Sequence, residues 1–74
     1  MNGYKNQIDY PNGYSASIIS NEYSYGGNRG LFEVAVLYNN KIDYTTSITN
    51  DVLGFLSFEE VNNVCKDIEN LPSK

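Results

Sequence analysis

Few residues in this 74-residue chain could carry chemistry. There is no histidine, so the commonest general base and metal ligand is missing. Cys65 is the single cysteine, and nothing beside it would activate a thiolate. It excludes an intramolecular disulfide, and no Cys/His cluster suggests zinc. Glu59 and Glu60 are the one adjacent carboxylate pair that invites an acid–base reading. On a helix, neighbours point about 100° apart and do not converge on one bond. Their simpler role is to place negative charge in the first helical turn. Arg29, the only arginine, sits in the glycine-rich stretch Gly26-Gly27-Asn28-Arg29-Gly30. A phosphate cradle normally opens onto a helix N-terminus, whereas this stretch opens onto a strand and reads as a turn. The inventory points away from an enzyme, a cofactor or a metal, and towards binding.

Composition supports that direction. Nine acidic residues face five basic ones, for a net charge of −4. This balance disfavours gripping nucleic acid, which needs a basic stripe. Acidity also raises mimicry of a nucleic-acid backbone, but the acids are scattered as on an ordinary solvated surface. Seven tyrosines and many asparagines resemble the make-up of recognition surfaces, where rings supply contact area and small polar groups adapt. The same residues also suit strands and turns. The N-terminal residues lack an apolar signal segment, and no apolar run approaches the roughly 20 residues that cross a bilayer. With a free cysteine, this places the chain in the cytoplasm.

The elements that would position these residues are organised by Gly30-Leu31-Phe32-Glu33-Val34-Ala35-Val36-Leu37-Tyr38, the one long strand-forming run. Asn39-Asn40 closes it with a type I′ turn that sets Leu37 opposite Ile42 and Val36 opposite Asp43. Pro11-Asn12-Gly13 marks an earlier turn between a short edge strand at 7–10 and a strand at 14–19, with residues 1–6 frayed. Val52-Leu53-Gly54-Phe55-Leu56 reads as a turn plugging one end of the core. Ser57-Phe58-Glu59-Glu60 is a capping box, and apolar residues at Phe58, Val61, Cys65, Ile68 and Leu71 predict an amphipathic helix over about 57–71, ended by Pro72. The fold class is α+β: an antiparallel meander of three or four strands in a single domain, 1–74, with one C-terminal helix on one face. A chain this short buries only about 60% of its unfolded surface, so a partner or a homodimer is expected to add stability.

If the glycine-rich turn pairs Tyr25 with Leu31, one sheet face collects Ile19, Tyr23, Tyr25, Leu31, Ala35, Leu37, Ile42 and Tyr44. That face is the expected core. The other carries Ile18, Phe32, Val34, Val36 and Tyr38 between polar shoulders. This second face is left open unless residues 1–10 fold over it, and an open apolar stripe marks an interface. The expected partner-binding residues are therefore Phe32, Val34, Val36 and Tyr38, with Tyr25 and Arg29 on the adjoining hairpin. Glu33 is the one contradiction, because this register places its carboxylate on the core face.

Four segments carry a resemblance: Pro11-Asn12-Gly13-Tyr14-Ser15-Ala16-Ser17, Tyr23-Ser24-Tyr25-Gly26-Gly27, Gly30 through Leu37, and Asp51 through Val61. Together they resemble a group of short proteins encoded by bacteriophages and prophages, over residues 10–71. The resemblance brings no catalytic or ligand motif. It implies a host-defence inhibitor of the anti-CRISPR type, acting in the host cytoplasm by occluding a surface of a host protein complex. The alternative is an oligomeric small-ligand module that sequesters a nucleotide through the Gly26–Gly30 amides and Arg29.

Overall fold

The computed structural model describes residues 3–74. It contains strands β1 (Tyr4–Asp9), β2 (Tyr14–Ser20), β3 (Phe32–Tyr38), β4 (Lys41–Ile42) and β5 (Leu53–Leu56), followed by helix α1 (Phe58–Glu69). The sheet is antiparallel throughout, in the order β1-β2-β3-β4, with β5 also paired to β3. The two late strands share one edge of β3: β4 takes Leu37 and Tyr38, and β5 takes Phe32 and Val34. The class is α+β, as the patterning indicates. Two departures concern extent. The first strand begins at Tyr4 rather than Gln7, so Tyr4, Lys5 and Asn6 are paired with β2 and not frayed, while Met1 and Asn2 lie outside the described residues. Within the 52–56 segment, Leu53–Leu56 is a strand rather than a turn, and Leu56 packs against the core.

The turns form as their chemistry dictates. Asn39 and Asn40 adopt φ of 51° and 65°, and Leu37 pairs with Ile42. Gly13 adopts φ 91° and ends the first hairpin turn. At α1, Ser57 accepts a hydrogen bond from the Glu60 amide at 3.1 Å, and Glu60 accepts one from the Ser57 amide at 2.9 Å. The far end of the helix is capped from a distance. The Asn12 side-chain amide donates to the carbonyls of Ile68, Glu69 and Leu71 at 2.9, 3.1 and 2.9 Å. Its oxygen accepts from the Tyr14 amide at 3.0 Å.

The core lies between α1 and one face of the sheet. Tyr14, Ala16 and Ile18 of β2 and Val34 and Val36 of β3 meet Val61 and Ile68 of the helix. This corrects the face expected from the sequence. The residues anticipated as an open stripe are the core. Val34 and Val36 are fully enclosed, Phe32 and Tyr38 are half-buried against them, and none of the four forms a free interface. The cause lies in β2. It stops at Ser20, so Tyr23 and Tyr25 never join the sheet, and Ile19 pairs with Glu33 instead of Leu37. Without those tyrosines the face of Ile19, Glu33, Ala35 and Leu37 is the poorer apolar surface, and the helix takes the other. Glu33 thereby escapes burial in the core, which removes the contradiction.

Candidate functional site

The connection from Ser20 to Phe32 is built by side-chain-to-backbone bonds. The Asn21 side chain accepts from the amides of Tyr23 and Ser24 at 2.8 and 2.9 Å, an Asx turn that diverts the chain out of the sheet. Ser24 Oγ accepts from the Asn21 amide at 2.9 Å and donates to its carbonyl at 3.0 Å. A short 3-10 turn, Gly27–Arg29, follows. A Cβ on Gly27 would lie 1.7 Å from the Asn21 carbonyl oxygen, so only glycine fits there. Gly26 and Gly30 take φ of 88° and 73°, values that glycine adopts without penalty.

This connection docks on β5. The Phe55 amide donates to the Tyr25 carbonyl at 3.1 Å, and the Tyr25 amide donates to the Glu33 carboxylate at 3.1 Å. Glu33, awkward in the sequence, thus holds the backbone of Tyr25. The two segments fit reciprocally. A Cβ on Gly54 would lie 2.4 Å from Tyr25 Cβ, and one on Gly26 would lie 2.9 Å from Phe55 Cα. Each glycine makes room for the aromatic residue of the other segment.

Phe55 itself has φ 56°, at the irregularity where the β3–β5 register shifts. A bulky side chain in the left-handed region costs about 1–2 kcal/mol. The ring does not recover this by burial, since Phe55 is 54% exposed, Tyr25 59% and Tyr23 90%. Arg29 is exposed on the same connection. Three exposed aromatic residues thus lie on the connection and β5, Phe55 tied to Tyr25 through the backbone, with the Arg29 cation on the same connection. Bulges of this kind re-aim a side chain, and strained residues cluster at functional surfaces.

Two further features flank the sheet. A groove of about 150 Å³ opens between β1 and α1, lined by Tyr4, Ile18, Phe32, Phe58, Val61 and Cys65 among others. Phe32 forms an aromatic bridge across it, 5.6 Å from Tyr4 and 6.4 Å from Phe58 between ring centroids. At the opposite end Asp43 is buried and ion-paired with Lys74 at 2.6 Å. The Lys74 ammonium lies 4.6 Å from the Tyr38 ring centroid. The hydrogen bond from Lys74, followed by those from the Thr45 hydroxyl and amide, brings the Asp43 carboxyl down to about 2. Tyr10 is raised above the usual phenol range, first by burial and then by its contact with Cys65. Cys65 is half-buried on the apolar side of α1.

Of the residues anticipated for binding, Tyr25 and Arg29 stand on the exposed connection, while Phe32, Val34, Val36 and Tyr38 do not. Tyr23, expected on the core face from the sequence, is the most exposed aromatic among the described residues. Phe55 was missed. Its signal was Gly54 inside an apolar run, since a glycine within a strand marks a bulge or a close backbone approach. Among the described residues no group of three or more His, Cys, Asp and Glu side chains could hold a metal ion, and no helix is long and apolar enough to cross a membrane. The chain matches no protein-family model, no curated protein and no solved structure.

Proposed function

We propose that this chain is a non-catalytic binding protein that presents Tyr23, Tyr25, Phe55 and Arg29 to a larger protein and acts by occluding its surface. The observation that carries this reading is Phe55: a strained backbone holds its ring half in solvent beside Tyr25. Rigid aromatic side chains with an arginine are the usual anchors of protein interfaces. The resemblance to short phage proteins supplies the context, a host-defence complex as target in the manner of anti-CRISPR proteins. The nucleotide-sequestering alternative is less well supported. In the loop it would use, the amides of Gly27, Arg29, Gly30 and Leu31 are already bonded to carbonyls within the connection.

The test pairs function with fold. Tagged wild-type chain and the Phe55→Gly variant are used to capture proteins from a lysate of a bacterium with active CRISPR defence. Both are also scored for relief of phage restriction in that strain. Glycine relieves the φ of residue 55 and removes the ring, so stability stays within about 1 kcal/mol while capture and relief are lost. A Phe55→Gly variant that captures the same complex as wild type with equal strength removes the aromatic edge from the interface. Wild-type chain that neither captures a defence component nor relieves restriction removes the inhibitor reading.

A further inference from the structure

The sheet has one long unpaired edge among the described residues. β1 runs for six residues with no strand beyond it, whereas the opposite side is divided between β4, two residues long, and β5, four residues long, whose Phe55 amide is bonded to the Tyr25 carbonyl. The Tyr10 amide donates to the Tyr14 carbonyl at 2.9 Å, and the β1–β2 register is unbroken. Alternation then turns the backbone groups of Tyr4, Asn6 and Ile8 towards β2, and those of Lys5, Gln7 and Asp9 outwards. Neither a proline nor a bulge blunts this edge between Tyr4 and Asp9, and its only charges, Lys5 and Asp9, repel a neighbouring strand unless that strand sets opposite charges against them.

We infer that the β1 edge pairs with β1 of a second copy, antiparallel about a two-fold axis through Gln7, to give one continuous sheet across a homodimer. The outward backbone groups limit the registers. With Gln7 opposite Gln7, Lys5 of each copy stands opposite Asp9 of the other, and roughly six backbone hydrogen bonds form. Sliding by two residues either way loses a hydrogen-bonded pair within the strand and sets Lys5 or Asp9 against the neutral Gln7. The charges are ready for this pairing. Asp9 takes its bonds from Ser15 (2.7 Å) and Gln7 (2.9 Å) on Oδ1, leaving Oδ2 without a described partner. Lys5 forms no ion pair among the described residues and is exposed. Opposite charges placed directly across a strand pair stabilise it, and like charges oppose it. On the helix side, Asn6 at the rim of the groove would face Ile8 of the other copy. That covers apolar surface which α1 leaves open above β1.

The test is the mass of the free protein by sedimentation equilibrium over a wide concentration range. Wild type should approach twice the 8.3 kDa chain mass at high concentration. Gln7→Pro removes an outward amide, which an edge strand tolerates, and should remain at 8.3 kDa with an unchanged circular dichroism spectrum. Lys5→Glu and Asp9→Lys should each weaken self-association on the order of tenfold. An equimolar mixture of the two restores both cross-strand pairs and should associate as strongly as wild type. Wild type at monomer mass throughout overturns the inference. So does a Gln7→Pro variant as dimeric as wild type, or a mixture no tighter than its components.

Discussion

Ile18 and Ile19 are chemically identical neighbours on opposite faces of β2, and truncating each in turn measures which face is the core. Ile18 is 4% exposed and packs in the cluster under α1, while Ile19 is half-buried on the face with no helix. Truncation to alanine removes three carbons, worth about 0.8 kcal/mol each when fully buried, or about 2.4 kcal/mol together. Incomplete collapse of the vacated space under the helix adds about 1 kcal/mol, at about 24 cal/mol per Å³. Ile18→Ala should therefore cost about 3–4 kcal/mol. Ile19→Ala loses roughly half the transfer energy, about 1 kcal/mol, and water fills the space it leaves. A domain of 74 residues has on the order of 4–11 kcal/mol in total, so the first change takes a large share of it. In a thermal melt the two should fall by about 15 °C or more and about 5 °C. Urea titration followed by circular dichroism gives the free energies directly, since the denaturant slope depends on exposed surface and should be common to both. Equal losses, or a larger loss at Ile19, would refute the assignment of the core to the face of Ile18, Val34 and Val36.

Two further outcomes follow from single sites. The Asp43 carboxyl, ordinarily near 3.8, is held at about 2 in the folded chain, so its ion pair stabilises the fold above pH 3.8 and that contribution disappears as pH falls through 2. Asp43→Asn should be less stable than wild type at neutral pH, with the two denaturation curves converging between about pH 4 and 2; a constant gap across that window would show that Asp43 does not titrate as described. Gly27→Ala forces a Cβ into the Asn21 carbonyl and should destabilise by on the order of 3 kcal/mol, read from urea midpoints. A loss below about 1 kcal/mol would mean the connection is looser than its hydrogen bonds indicate.

The parts of this fold that were legible in the sequence are those decided within a few residues. Asn39-Asn40 fixes its own turn and with it the pairing of Leu37 with Ile42. Ser57 and Glu60 fix the start of α1. The choice of core face was not legible, because β3 is apolar on both sides and the decision rests on where β2 ends. That end is set by Asn21, whose side chain competes for the backbone amides of Tyr23 and Ser24. A hydrophobic count sees Tyr23 and Tyr25 and extends the strand, whereas one asparagine ends it. The aromatic edge was hidden for a different reason. It exists only where Tyr25-Gly26 meets Gly54-Phe55, and no local pattern announces that meeting. Glu33 was the useful clue: a carboxylate that contradicts a register is evidence about the register.

The Asn12 amide binds the last carbonyls of α1 while its oxygen holds the Tyr14 amide. One side chain in the first turn therefore closes the final helix. Its consequence is cooperativity. Fraying of a helix C-terminus is ordinarily a cheap local event, independent of the rest of the molecule. Here the carbonyls of Ile68, Glu69 and Leu71 cannot be released without freeing Asn12, and freeing Asn12 loosens the hairpin turn that starts β2. The last turn of α1 and the first hairpin turn are thereby coupled through one side chain. Exchange of the amides in these two segments with solvent should therefore report a shared opening rather than independent fraying of the helix end.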